Sequence, residues 1–123
     1  MYINVTKREP DMKIADIGNS EGKEYILFYA KKGTRLHDYA IYDKTYDEEG
    51  DESNKWPHFY RFPKGEIMAE DGYICLYTDD SDTQASIKGR AIKTFHMGLG
   101  DVLNDEGDRV YLVKLTDLGS KDV

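Results

Sequence analysis

The stretch VLNDEGDRVYLV (Val102 to Val113) sets four acidic or amide side chains around Gly107, between two apolar runs. Oxygen-bearing side chains beside a glycine are the raw material of a calcium loop. The twelve-residue form of that loop needs acids or amides at its first, third and fifth positions, glycine at the sixth and glutamate at the twelfth. With Gly107 sixth, the first and last positions are Val102 and Val113; with Gly50 sixth, they are Thr45 and Trp56. Both placements fail. The segment TDDSDT (Thr78 to Thr83) clusters three acids but has no glycine and no distant glutamate. Such a cluster reads first as a solvated loop.

Other reactive side chains are few. His37, His58 and His96 are scattered, with none at metal-ligand spacing. His37 and Asp38 are a base type beside an orienting carboxylate, but on a strand adjacent side chains point to opposite faces. The only cysteine, Cys75, lies in GYICLYTDD, an apolar strand-like run, and reads as a buried structural thiol. No nucleophile elbow, CxxC pair or phosphate-cradling glycine loop is present, and no catalytic, cofactor-binding or metal-binding residue is assigned. Two short basic stretches, KKGTR (Lys31, Lys32, Arg35) and KGRAIK (Lys88, Arg90, Lys93), could meet an anion if they converge on one face. Trp56 and the tyrosines could stack on bases or sugars, although in a small β domain such aromatics mostly pair across strands or fill the core.

The elements that must carry these residues read as strands. Met1, Ile3 and Val5 alternate with polar neighbours, and MKIADIGN forms a short strand closed by a Gly18-Asn19 turn. EYILFYA (Glu24 to Ala30) is apolar on both faces, so both must be covered, as in a central strand. LHDYAIYD (Leu36 to Asp43) is a further strand. WPHFYRFP (Trp56 to Pro63) is another, with Trp56, His58, Tyr60 and Phe62 on one side and Phe59 and Arg61 on the other. KGEIMAEDG gives two glycine-bearing turns, and GYICLYTDD, AIKTFHMG and DVLNDEGDRVYLVKL supply the remaining strands. About eight short strands without a helical crossover predict an all-β, antiparallel sandwich or barrel. With 123 residues the chain is expected to be one domain.

Charge narrows the partners. The net charge is −7, carried by residues 41–123, and six acids crowd DKTYDEEGDE (Asp43 to Glu52). An acidic surface repels phosphate backbones and attracts basic partners. No uncharged stretch is long enough for a membrane-spanning helix. The start, MYINVTKREP, lacks the apolar core of a signal peptide, which implies the cytoplasm if Met1 is the native start. A mature chain freed of a leader would read the same and would belong outside the cell.

The ordered series KEYILFYAKKG, LHDYAIYD, YRFPKGEIMAEDGYICLYTDD and DVLNDEGDRVYLV resembles the lamin tail domain family, in the manner of a stand-alone bacterial member. The resemblance runs from about Ile14 to Leu115. It is carried by Glu24 to Ala30, His37 to Asp43, Tyr60 to Pro63, Ile67-Met68, Gly72 to Asp79 and Leu103 to Leu112. Tyr39 and Phe95 stand where the family often has tryptophan, and Ala30 where asparagine is frequent. The resemblance implies an immunoglobulin-like β-sandwich and a non-catalytic module that binds protein partners through sandwich edges or loops. It supplies no catalytic residues. Two other readings stay open: a nucleic-acid-binding accessory domain using the basic stretches, and an acidic inhibitor or immunity-type protein of a basic enzyme. Within this frame VLNDEGDRVYLV becomes a hairpin, with a turn over Asn104 to Glu106 closed by Gly107.

Overall fold

A computed structural model of the chain describes residues 10–45, 59–99 and 108–115. Among them lie nine strands: β1 (Met12–Ser20), β2 (Lys23–Ala30), β3 (Tyr39–Thr45), β4 (Phe59–Arg61), β5 (Gly72–Tyr77), β6 (Ser86–Ile87), β7 (Arg90–Ala91), β8 (Lys93–His96) and β9 (Asp108–Lys114). One short 3-10 turn, Leu36–Asp38, precedes β3, and no α-helix occurs among the described residues. The fold is all-β. Met1 to Thr6, the acidic residues 47–52, Trp56, His58 and the Asn104–Gly107 turn fall outside the described residues.

A four-stranded sheet has the order β1-β2-β5-β8, a three-stranded sheet β4-β3-β9, and β6 and β7 form a small ribbon. Both larger sheets feed one core. Met12, Ile26, Phe28, Ala30, Ile74 and Leu76 come from the first, and Tyr39 and Ile41 from the second, with Leu36, Phe62 and Met68 from the connections. Phe62 is fully buried and makes edge-to-face contacts with Phe28, Tyr60 and Phe95, each at 5.4 Å between centroids. Edge-to-face rings add to simple burial, so Phe62 ties the two sheets together.

β2 shows why a continuous apolar run belongs here. Ile26, Phe28 and Ala30 face the main core with no exposed area, while Tyr25 and Leu27 pack on the other face against Cys75, Tyr77, Ala85 and Ile92. Of these, Cys75 and Tyr77 belong to the neighbouring β5, while Ala85 and Ile92 come from the excursion bearing β6 and β7. The same excursion corrects the expectation of purely antiparallel pairing. β8 runs parallel to β5, because the chain between Thr78 and Ile92 crosses over before returning, and only such a crossover permits a parallel neighbour.

The first hairpin is also corrected. β1 runs through Gly18 and Asn19, which pair with Tyr25 and Glu24, and the turn is Glu21-Gly22. Both turn residues have positive φ (53° and 79°), the signature of a type I′ turn, whose twist matches the flanking strands. A shift in pairing between Ile14 and Asp16 leaves Ala15 as the extra residue of a bulge. Strict alternation from Met12 and Ile14 would put Asp16 on the core side. The bulge instead pairs Ile17 with Ile26 and sends Asp16 outward, within 3.2 Å of the Tyr25 hydroxyl.

LHD is a 3-10 turn, not the start of a strand. Leu36 is pinned by its amide to Glu66 O (3.0 Å) and by complete burial, and Asp38 N bonds Arg35 O (3.1 Å), so the backbone bends before it extends. Asp43, the first acid of the dense block, is only 4% exposed within β3 and so is no part of a solvated loop.

Candidate anion-binding cleft

Residues 33–36 run alongside residues 66–68. Gly33 N bonds Met68 O (2.8 Å), Met68 N bonds Thr34 O (3.0 Å), and Arg35 forms an antiparallel bridge with Ile67. Across from them, β4 ends at Arg61, Phe62 plunges into the core, and Pro63 leads into a turn at Lys64-Gly65. Gly65 takes φ of +87°, a conformation closed to most side chains, which lets the chain double back to Glu66. The space between these segments is a half-open cleft of about 720 Å3, lined by Arg35, His37, Arg61, Lys64, Gly65, Glu66 and Ile67.

Two of the lining residues brace each other. Arg61 Nε donates to His37 O at 2.7 Å, while His37 Nδ1 lies 2.8 Å from Phe62 O. A carbonyl can only accept, so Nδ1 carries a proton and the neutral ring presents Nε2 as its open nitrogen. With Nε engaged, Arg61 keeps its two terminal nitrogens for a ligand, the end-on fork that grips a carboxylate or phosphate. The side chains are therefore held by backbone that is itself fixed to Phe62. Glu66 is the one carboxylate in the lining, and Lys93 Nζ holds it at 2.8 Å. Arg35, Arg61 and Lys64 have no ion pair among the described residues, so three cations remain available in a chain of net charge −7.

The two basic stretches do not converge as units. Arg35 reaches the cleft and Lys93 reaches its rim through Glu66. Lys88 sits in the β6–β7 turn, Arg90 is exposed on β7, and the amide of Lys32 is tied to Asp71 Oδ1 at 2.7 Å. The best-placed cations, Arg61 and Lys64, were not singled out from sequence. Arg61 alternates with Tyr60 and Phe62, which does mark it as facing away from the core. Its meeting with His37 depends on the bend at Leu36–Asp38, which the local pattern conceals.

A second cluster has the residue types of a hydrolytic triad without its wiring. Ser81 Oγ lies 2.9 Å from Asp79 Oδ1, His96 Nδ1 lies 3.3 Å from that same oxygen, and His96 Nε2 lies 3.0 Å from Thr83 O. A triad needs the hydroxyl against the imidazole nitrogen that is not facing the carboxylate. Here that nitrogen meets a carbonyl, and the serine is left unactivated. Partial burial pushes the Asp79 carboxyl upward, but hydrogen bonds from Ser81 and His96 and the charge of Lys23 outweigh it and hold it below the ordinary range. Lys23 also bonds Thr83 Oγ1, and Tyr77 stacks on His96 at 5.3 Å. The cluster fastens the crossover to β2, β5 and β8.

No family model, curated protein or solved structure matches this chain. Its chemistry must be read from its own geometry. Cys75 is 4% exposed in β5, and desolvation pushes its thiol up to about 11, so it is a poor nucleophile. Among the described residues no three His, Cys, Asp or Glu side chains gather as a metal-binding set, and no helix is long and apolar enough to cross a membrane.

Proposed function

We propose that this chain is a non-catalytic interaction domain of lamin-tail type, with an immunoglobulin-like β-sandwich, whose protein partner brings an anionic group to the Arg35–His37–Arg61–Lys64 cleft. Strand order supports the fold assignment. The neighbours β1-β2-β5 and the pair β3-β9 correspond to the A-B-E and C-F neighbours of the immunoglobulin fold. The parallel β8 departs from that plan. The resemblance over Tyr60 to Pro63 gains weight from Phe62, which sits where the two sheets meet.

The observation that carries the binding function is the reciprocal brace. Arg61 and His37 are each tied to the other's backbone neighbourhood, so little side-chain entropy is lost when a ligand arrives. Three cations with no ion pair among the described residues then supply the attraction. The test is a titration with a labelled oligoglutamate peptide at low salt, read by anisotropy and by the Arg61 side-chain resonance. Saturable binding that weakens with salt, and is lost in the Arg35→Gln/Arg61→Gln/Lys64→Gln variant, is expected. Binding that survives the triple substitution would refute the cleft as the site.

A further inference from the structure

Resting on that reading, we infer that the anionic group taken by the cleft is a phosphoryl group on the partner polypeptide, as in a phosphorylated serine or threonine. The cations come from two stretches of chain: Arg35 from the bridge with Ile67, and Arg61 and Lys64 from the end of β4 and the glycine turn that follows it. One planar carboxylate presents two oxygens in a single plane, and one guanidinium fork satisfies it. A phosphoryl group presents three strong acceptor oxygens and nearly two negative charges, which matches a cleft lined by three cationic side chains rather than one. Neutralisation of Glu66 by Lys93 removes the nearest repulsion.

His37 adds a fourth contact suited to this chemistry. Its Nδ1–H is committed to Phe62 O, leaving Nε2 as the only ring atom that can meet a ligand. A phosphate monoester gains and loses its second proton near neutrality. One proton can therefore sit between Nε2 and a phosphoryl oxygen, whichever of them owns it.

The partner is argued from the rest of the lining and from net charge. The cleft, at about 720 Å3, is far larger than a single tetrahedral group, so it has room for flanking chain. Ile67, 55% exposed at its wall, offers an apolar contact to a neighbouring side chain. An anionic membrane or a nucleic acid would bring many charges against a chain of net −7, whereas a phosphopeptide brings one such group to this basic cleft.

Three capped peptides decide it: one with a phosphoserine beside an isoleucine, the same peptide with glutamate in that place, and the same with serine. Each is titrated calorimetrically into the intact chain, with the Arg61 and His37 side-chain resonances followed in parallel. The phosphoserine peptide is expected to bind at least about tenfold more tightly than the glutamate peptide and to shift both resonances. Lys64→Gln is expected to weaken it by about tenfold with melting temperature unchanged, since Lys64 makes no hydrogen bond among the described residues. Arg61→Gln is checked by melting first, because Arg61 Nε also holds His37 O. Equal affinity for the phosphoserine and glutamate peptides would overturn the phosphoryl assignment and leave the anionic-partner reading standing. Failure of all three to bind would overturn both. Retention on phosphoinositide vesicles or single-stranded DNA without phosphopeptide binding would assign the cleft to another macromolecule and overturn the inference.

Discussion

Phe62 does two jobs that pull on different atoms. Its ring joins Phe28, Tyr60 and Phe95 in the core, and its carbonyl accepts the His37 hydrogen bond that fixes the cleft. Truncation to alanine is expected to cost ~3–5 kcal/mol, the usual range for a fully buried phenylalanine. Phe62→Leu should cost less and keep the carbonyl in place. Urea unfolding followed by tyrosine and tryptophan fluorescence measures both; a loss below ~1 kcal/mol for Phe62→Ala would contradict its place at the meeting of the sheets. Alternation along YRFP already put Phe62 on the apolar side. The carbonyl's role was hidden, because the sequence pattern reports side-chain direction and says nothing of which backbone groups are left to pair.

At the scale of elements, local chemistry and register explain most of the architecture. The Glu21-Gly22 turn has a twin at Lys88-Gly89, where φ is 51° and 77° between β6 and β7. Both put a residue with a β-carbon in the left-handed region, which asparagine tolerates better than glutamate or lysine. Gly22→Ala is expected to destabilise by ~1 kcal/mol, and Glu21→Asn to stabilise by a few tenths of that. Thermal melts of the two variants, moving in opposite directions, are the check; equal shifts would mean the turn is of another type. Gly18-Asn19 is as good a turn pair by composition, yet it lies inside β1. Ring packing decides, since Tyr25 lies across Gly18, where a β-carbon would come within 2.7 Å of its hydroxyl.

Protonation links the whole molecule to its solvent. Desolvation is the largest cause raising the Cys75 thiol, to about 11, and the phenols of Tyr25, Tyr39, Tyr60 and Tyr77 above their ordinary 10.0. The folded state thus holds these protons more tightly than the unfolded chain. The stability they contribute is complete below the unfolded values, from 9.0 for the thiol, and is lost as pH rises through the folded ones. The urea midpoint should be level through neutrality and fall above about pH 9, with the buried Cys75 alone contributing a slope of about 1.4 kcal/mol per pH unit. A midpoint constant to about pH 11 would refute it. Asp79 acts at the other end: its lowered carboxyl stabilises above the ordinary 3.8 and ceases to do so as pH falls through the folded value.

The sequence by itself determined the strand-rich character, the two-faced burial of β2, the burial of Cys75 and the shared face of Tyr60 and Phe62. Each follows from periodicity and from the low solubility of apolar surface, which act over a few neighbouring residues. Tertiary structure alone decided the parallel placement of β8, the bulge at Ala15, the bend at Leu36–Asp38 and the burial of Asp43. These depend on which distant backbone groups compete for the same hydrogen bonds. The cleft belongs to the second group: Arg35 and His37 lie on one stretch of chain, and Arg61 and Lys64 on another, that only the packing around Phe62 brings together.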